Sequence, residues 1–136
     1  MFKKTTTYTD FNGQERTESF YFNLTQAEVL EMELSTTGGL SAMIQGVINA
    51  KDTPQLIKIF KELVLKAYGE KSSDGRRFVK TPEITAAFAQ TQAYSDIFME
   101  LATNDKAATA FVEGITPKGL DKYVNDSKKP ELNEVN

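Results

Sequence analysis

The sequence predicts a mainly α-helical fold: a helical bundle of about five to six helices, preceded by an N-terminal β-hairpin and followed by a mobile C-terminal tail. Three observations support this. Apolar residues recur at helical spacing between residues 26 and 113. Threonine-based start signals precede several of these stretches. An Asn12-Gly13 pair separates two strand-forming segments. We therefore expect one domain at 1–115, with the hairpin at 3–24 and the helices at 26–113, and a polar, flexible tail at 116–136.

The hairpin is predicted from two segments, 3–9 and 16–24, that are rich in threonine and aromatic residues. If Asn12-Gly13 form the whole turn, Asp10 faces Glu15, and this pair of like charges is mildly repulsive. A longer loop from Asp10 to Glu15 is therefore the alternative. The side of the second strand that carries its apolar residues should cover the helices. The first strand has few apolar residues and is predicted to be a solvated edge, which would also accept a strand from a partner.

Start and stop signals delimit the helices. The most clearly delimited helix runs from Thr53, which caps it, to Gly69, which suits a left-handed closing residue. Its apolar residues cover about half of the helical wheel, more than a surface helix needs, and Leu65 lies outside even that arc. It should be flanked on two sides or contribute to a partner groove. Thr25 and Glu28 are predicted to form a capping box at the start of the helix at 26–34. The other helices are predicted at 26–34, 40–48, 82–89, 92–102 and 105–113. Thr81 starts the helix at 82–89, and Asn104 caps the helix at 105–113, which Gly114 ends.

The segment 70–80 is polar and contains the turn signal Asp74-Gly75. It carries a local excess of positive charge, so Arg76 and Arg77 are candidates for contacts with phosphate or RNA. The ordinary interpretation is a solvated connecting loop.

The composition excludes several classes of function. The chain has 136 residues, no cysteine and no histidine, which excludes disulfides, thiolate metal sites and imidazole catalysis. Sixteen basic and nineteen acidic side chains give a net charge of -3, which argues against a general nucleic-acid binder. Asp96 and Glu100 are interpreted as a hydrated surface pair. We expect no enzyme, no cofactor and no metal, and a cytosolic protein without a signal peptide or membrane span.

Leu65 and Met99 fall off the predicted core faces, which makes them candidates for binding a partner. Methionine is common on adaptable binding surfaces, although a single exposed apolar residue is normal and a core role is the alternative for the first two candidates. Leu120 and Tyr123, in the predicted tail, would make a short docking turn. The candidate partner-binding residues are Leu65, Met99, Phe111, Arg76, Arg77, Leu120 and Tyr123.

Three long stretches resemble tail assembly chaperones of tailed (siphovirus-type) bacteriophages and prophages of Gram-positive bacteria. In order, they are FNGQERTESFYFNLTQAEVLEMELSTTGGL, IFKELVLKAYGEKSSDGRRFVK and QAYSDIFMELATNDKAATAFVEGI. The similarity spans residues 11–115, and none of the stretches is a catalytic motif.

The resemblance implies a non-enzymatic chaperone that binds the tape-measure protein, keeps it soluble and helps recruit tail-tube subunits. Such a protein acts in the host cell cytoplasm and leaves before the virion is complete. The resemblance leaves open two further partners: a frameshifted long form of the same protein, and other copies of the chain in a homo-oligomer. We expect no nucleic acid and no membrane as partners. One alternative is a structural tail or head-tail connector component that uses the strand at 3–9 in a ring. Another is a small regulatory protein that binds nucleic acid through Arg76 and Arg77.

Overall fold

The structure, a computed structural model, describes residues 1–35 and 53–117. Within these residues the chain forms four strands and five helices. The predicted helix at 40–48 and the tail from residue 118 onward lie outside the described residues. The elements are, in order, β1 (Phe2–Thr9), β2 (Glu15–Phe22), α1 (Gln26–Ser35), α2 (Thr53–Ala67), β3 (Tyr68–Lys71), β4 (Phe78–Val79), α3 (Pro82–Ala89), α4 (Gln92–Thr103) and α5 (Asp105–Ile115).

The fold is mixed α/β, so the prediction of a mainly α bundle with a single hairpin is wrong. The four strands form an antiparallel sheet in the order β1-β2-β3-β4. Tyr68 of β3 lies opposite Phe22 of β2, and Lys71 lies opposite Phe78 of β4. β3 and β4 are only four and two residues long, which is too short for an alternating pattern to be recognised. The segment 70–80 is therefore part of a second hairpin.

Gly69 does not end a helix. α2 ends at Ala67 and the chain continues directly into β3, while the described glycines with positive φ are Gly13 and Gly75. A Cβ placed on Gly69 would approach the Phe78 ring to 2.7 Å. This glycine is therefore required by the close approach of an aromatic ring, and the predicted helix stop at Gly69 is wrong.

The first hairpin has the longer of the two predicted loops, because β1 ends at Thr9 and β2 begins at Glu15. Tyr8 lies opposite Arg16, whereas a two-residue turn would place it opposite Thr17. The Asp10 carboxylate accepts hydrogen bonds from the N–H groups of Asn12 and Gln14, both at 2.9 Å, and from Arg16 Nε at 2.6 Å. These contacts organise the loop, and they bring the even-numbered residues of both strands onto the face that covers the helices.

α4 has a central place in the packing, because it contacts β1, α2, α3 and α5. The sheet contributes Phe22 to the core, where it is fully buried. The predicted inner side of β2 is thus confirmed.

The two ends of the described chain meet on this core. The Phe2 ring of β1 lies against α5, where a Cβ added to Gly114 would come within 2.6 Å of it. The Leu24 N–H donates to the Ile115 carbonyl at 3.1 Å. Gly114 therefore lies inside α5 and accommodates Phe2, and the helix ends at Ile115, two residues later than predicted.

No helix within residues 1–35 and 53–117 is both long enough and apolar enough to cross a bilayer.

Candidate functional site

A groove between α1, α2 and α3 is the candidate site. Its volume is about 860 Å³, within the range of roughly 300–1,000 Å³ that is typical of ligand pockets. It combines apolar and charged side chains. The lining residues are Glu28, Met32, Glu62, Leu65, Lys66, Lys80, Thr81, Pro82, Thr85, Ala86 and Ala89.

One wall is a face of α3 made of small side chains. Pro82, Thr85, Ala86 and Ala89 follow the spacing i, i+3, i+4, i+7, which places them on one side of a helix. The Thr81 side chain caps this helix by accepting from the Ile84 N–H at 3.1 Å, as predicted. Because the distance between packed helices depends on the side chains at the contact, this wall allows another helix to approach closely.

The other apolar walls come from α1 and α2. Met32 is 4% exposed and belongs to the core cluster, and Leu65 is half-buried and packs against that cluster. Leu65 lies beyond the apolar arc predicted for its helix. Its place in the groove explains why this helix has an apolar residue outside that arc. Because Met32 is almost fully buried, Leu65 provides more of the accessible apolar surface of the two.

The polar end of the groove is a network around Glu28. Lys80 Nζ lies 2.6 Å from Glu28 Oε2 and donates to the Asn23 carbonyl at 2.7 Å. The predicted capping box is confirmed, since the Thr25 N–H donates to Glu28 at 2.8 Å and the Glu28 N–H donates to the Thr25 hydroxyl at 3.2 Å. Burial by itself raises the pKa of the Glu28 carboxyl, but the hydrogen bonds from Lys80 and Thr25 outweigh it. The pKa is therefore lower than the ordinary value of 4.5.

Replacing Glu28 with glutamine is expected to remove a pH-dependent contribution to stability. A carboxyl whose pKa is lower in the folded chain stabilises the fold above its unfolded pKa, and the contribution is lost as the pH falls through the folded value. Since the pair is partly solvated, we expect a loss of about 1 kcal/mol at pH 7. The difference from the wild type should disappear well below pH 4.5. Urea unfolding at neutral and acidic pH measures it. Glu113→Gln, at an exposed position, serves as the control and should show a smaller change at neutral pH.

The other predicted site residues lie elsewhere. Arg76 and Arg77 are exposed in the turn of the second hairpin, where their N–H groups donate to Asp74 and Ser72 at 3.0 Å. The turn predicted at Asp74-Gly75 is confirmed.

Met99 is exposed on α4, with 55% of its surface accessible, whereas Phe111 is fully buried. Leu120 and Tyr123 lie outside the described residues. The structure thus places one predicted site residue, Leu65, in the groove and puts the other described ones on separate elements.

Most of the groove was missed by sequence analysis. Lys80 belongs to the segment 70–80, which is predicted to be a solvated connecting loop, and no sequence pattern distinguishes Met32 from the other apolar residues of its helix. The signal that sequence analysis could have used is the small-residue face of α3, because its spacing is readable without the structure.

A family model described as phage tail assembly chaperone matches residues 1–136, so it spans the hairpins, the groove and the segments outside the described residues. No curated protein and no solved structure matches the chain.

Proposed function

The chain belongs to the phage tail assembly chaperone family, and on that premise we propose that it binds the tape-measure protein through the groove between α1, α2 and α3. In this proposal it keeps the tape-measure protein soluble and helps recruit tail-tube subunits. It acts in the host cell and is absent from the finished particle. The tail-tube protein and a frameshifted long form of the chain belong to the same proposal as further partners.

The observation that carries this proposal is the groove itself. Its small-sided α3 wall, with Met32 and Leu65 opposite, suits the apolar face of an amphipathic helix, which binds through anchors at i, i+3, i+4 and i+7. A client with a long helical sequence would present many such faces. Binding of this kind requires neither a cofactor nor a reacting group.

The charges at the rim favour a helical client with both signs of charge beside its apolar face. Glu62 and Lys66 are exposed on α2, while Glu28 and Lys80 already pair with each other. Rim charges contribute more to specificity and to the rate of association than to affinity.

The test is coexpression of the full chain with tape-measure fragments from the same phage. We expect fragments that aggregate alone to become soluble and to coelute with the chaperone. The chain should be absent from purified virions by quantitative mass spectrometry. Fragments that stay insoluble would contradict the client assignment. Stoichiometric amounts in virions would contradict the chaperone role and favour a structural tail or connector component.

A further inference from the structure

The outer edge of β1 is unpaired within residues 1–35 and 53–117. β1 lies at one end of the sheet order, and all eight of its residues lie opposite β2, from Phe2 opposite Phe22 to Thr9 opposite Glu15. The pairing is uninterrupted, so the strand has no bulge. Every second residue of such a strand directs its N–H and C=O groups away from the sheet, where they can pair with another strand.

This edge lacks most of the features that prevent pairing. Edge strands are usually protected by shortness, proline, bulges, a covering element or charged side chains. β1 is longer than the common strand length of about 5–6 residues, and it contains no proline. Of its two lysines, Lys4 is an inward-pointing charge, which is a protective feature, but it is already paired with Glu100, with Nζ and Oε2 2.5 Å apart. From Thr5 to Thr9 the strand carries no charge.

We propose that β1 pairs antiparallel with β1 of a second copy of this chain, about a two-fold axis at Thr6. In this register Lys4 faces Tyr8 of the second copy, and Lys3 faces its Thr9. No lysine faces a lysine, because the charged end of each strand meets the uncharged end of the other. The register also joins residues of the same parity, so the helix-covered faces of both sheets stay on one side. This self-complementarity favours a second copy over an unrelated strand.

The hydroxyl groups on the outer face support the same register. Thr5 Oγ1 lies 2.8 Å from Ser19 Oγ, and Thr7 Oγ1 lies 2.9 Å from Thr17 Oγ1. Pairing about Thr6 brings Thr5 of one copy opposite Thr7 of the other, twice per dimer. The ladder of hydroxyl pairs then continues across the interface, and such cross-strand pairs stabilise sheets.

The interface closes after two copies, because each copy uses the same strand. The inference therefore specifies a dimer, in contrast to the ring expected of a connector component. It does not depend on the client, since it concerns another surface. A dimer would hold two grooves, and a second contact with a repetitive client would strengthen binding through effective concentration.

The first test is the association state of the full chain by sedimentation velocity over a concentration series. We expect a dimer in the micromolar range. The double variant Thr5→Lys/Thr7→Lys puts like charges opposite each other at the interface and should weaken dimerisation by roughly tenfold or more. The control Thr17→Lys/Ser19→Lys adds the same charge and breaks the same hydroxyl pairs on β2, and it should still dimerise. A wild type that is monomeric at about 100 μM, or equal weakening by both variants, would overturn the proposal.

The second test keeps the proposal falsifiable if the lysine variants fold poorly. The chain has no cysteine, so Thr6→Cys introduces a unique thiol on the two-fold axis. Opposed residues of an antiparallel pair have Cα atoms about 4.5–5.5 Å apart, within reach of a disulfide. Mild oxidation should give a covalent dimer of Thr6→Cys and little from Thr17→Cys on β2. Equal cross-linking of the two variants would contradict the register.

Discussion

Replacing Leu65 with glutamate is expected to weaken binding of a tape-measure fragment by about a hundredfold, which corresponds to about 3 kcal/mol. Leu65 lines the groove and is only half-buried in the free protein. A carboxylate at this position would be covered by the apolar face of the client without a partner, and an uncompensated buried charge is strongly unfavourable. In the free protein the same carboxylate reaches solvent. The free energy of unfolding should therefore change by no more than about 1 kcal/mol.

Leu30→Glu is the matched control for this variant. Leu30 is 61% exposed on α1 and is not among the residues that line the groove. The same chemical change there should leave fragment binding within about twofold of the wild type. Titration calorimetry measures binding, and urea unfolding measures stability. Unfolding of the Leu65 variant would instead assign Leu65 to the core, and unchanged binding would remove the groove from the proposed function.

Replacing Phe111 with alanine is expected to cost about 3–5 kcal/mol of stability, a large fraction of the roughly 5–15 kcal/mol that holds a domain together. The ring is fully buried. Its centroid lies 5.3 Å from that of Phe2 and 5.4 Å from that of Phe22, both in edge-to-face geometry. Truncation would leave a cavity between β1, β2 and α5. The midpoint of urea unfolding should fall accordingly.

Met99→Ala provides the comparison for Phe111. Met99 is exposed on α4, so its truncation should change stability by less than about 0.5 kcal/mol. Both residues are candidates for partner binding on sequence grounds, and the structure separates them by burial. If the Phe111 variant kept wild-type stability but lost client binding, its placement in the core would be wrong.

The local features of the fold were predictable from the sequence. The capping box of Thr25 and Glu28, the cap at Thr81 and the cap at Asn104 are all present. Each depends on residues within one helical turn, so the sequence pattern is sufficient to identify it. The first hairpin was also predictable, although its register depended on the Asp10 loop.

The second hairpin was not predictable in the same way. Tyr68 and Gly69 become strand residues because they pair with β2, which is distant in sequence, and periodicity within a few residues carries no information about such a partner. The apolar run of α2 therefore seemed to continue through Tyr68. Gly69 is a suitable residue both for a helix stop and for a ring contact, and only the position of Phe78 distinguishes the two.

The candidate site shows the same limit. Leu65 was identifiable because it exceeds the apolar arc of its own helix. Phe111 is a candidate for partner binding in the sequence, but the structure buries its ring fully in the core. The groove itself results from the relative positions of three helices. Sequence reasoning supplies the faces of these helices but not their arrangement.

The contact between the two ends of the described chain has a consequence for synthesis on the ribosome. Phe2 is made long before Gly114 and Phe111, against which it packs, and the Leu24 N–H donates to the Ile115 carbonyl. The first strand must therefore wait, with its aromatic face uncovered, until α5 has left the exit tunnel. We expect nascent chains that stop before about residue 115 to be held by host folding factors.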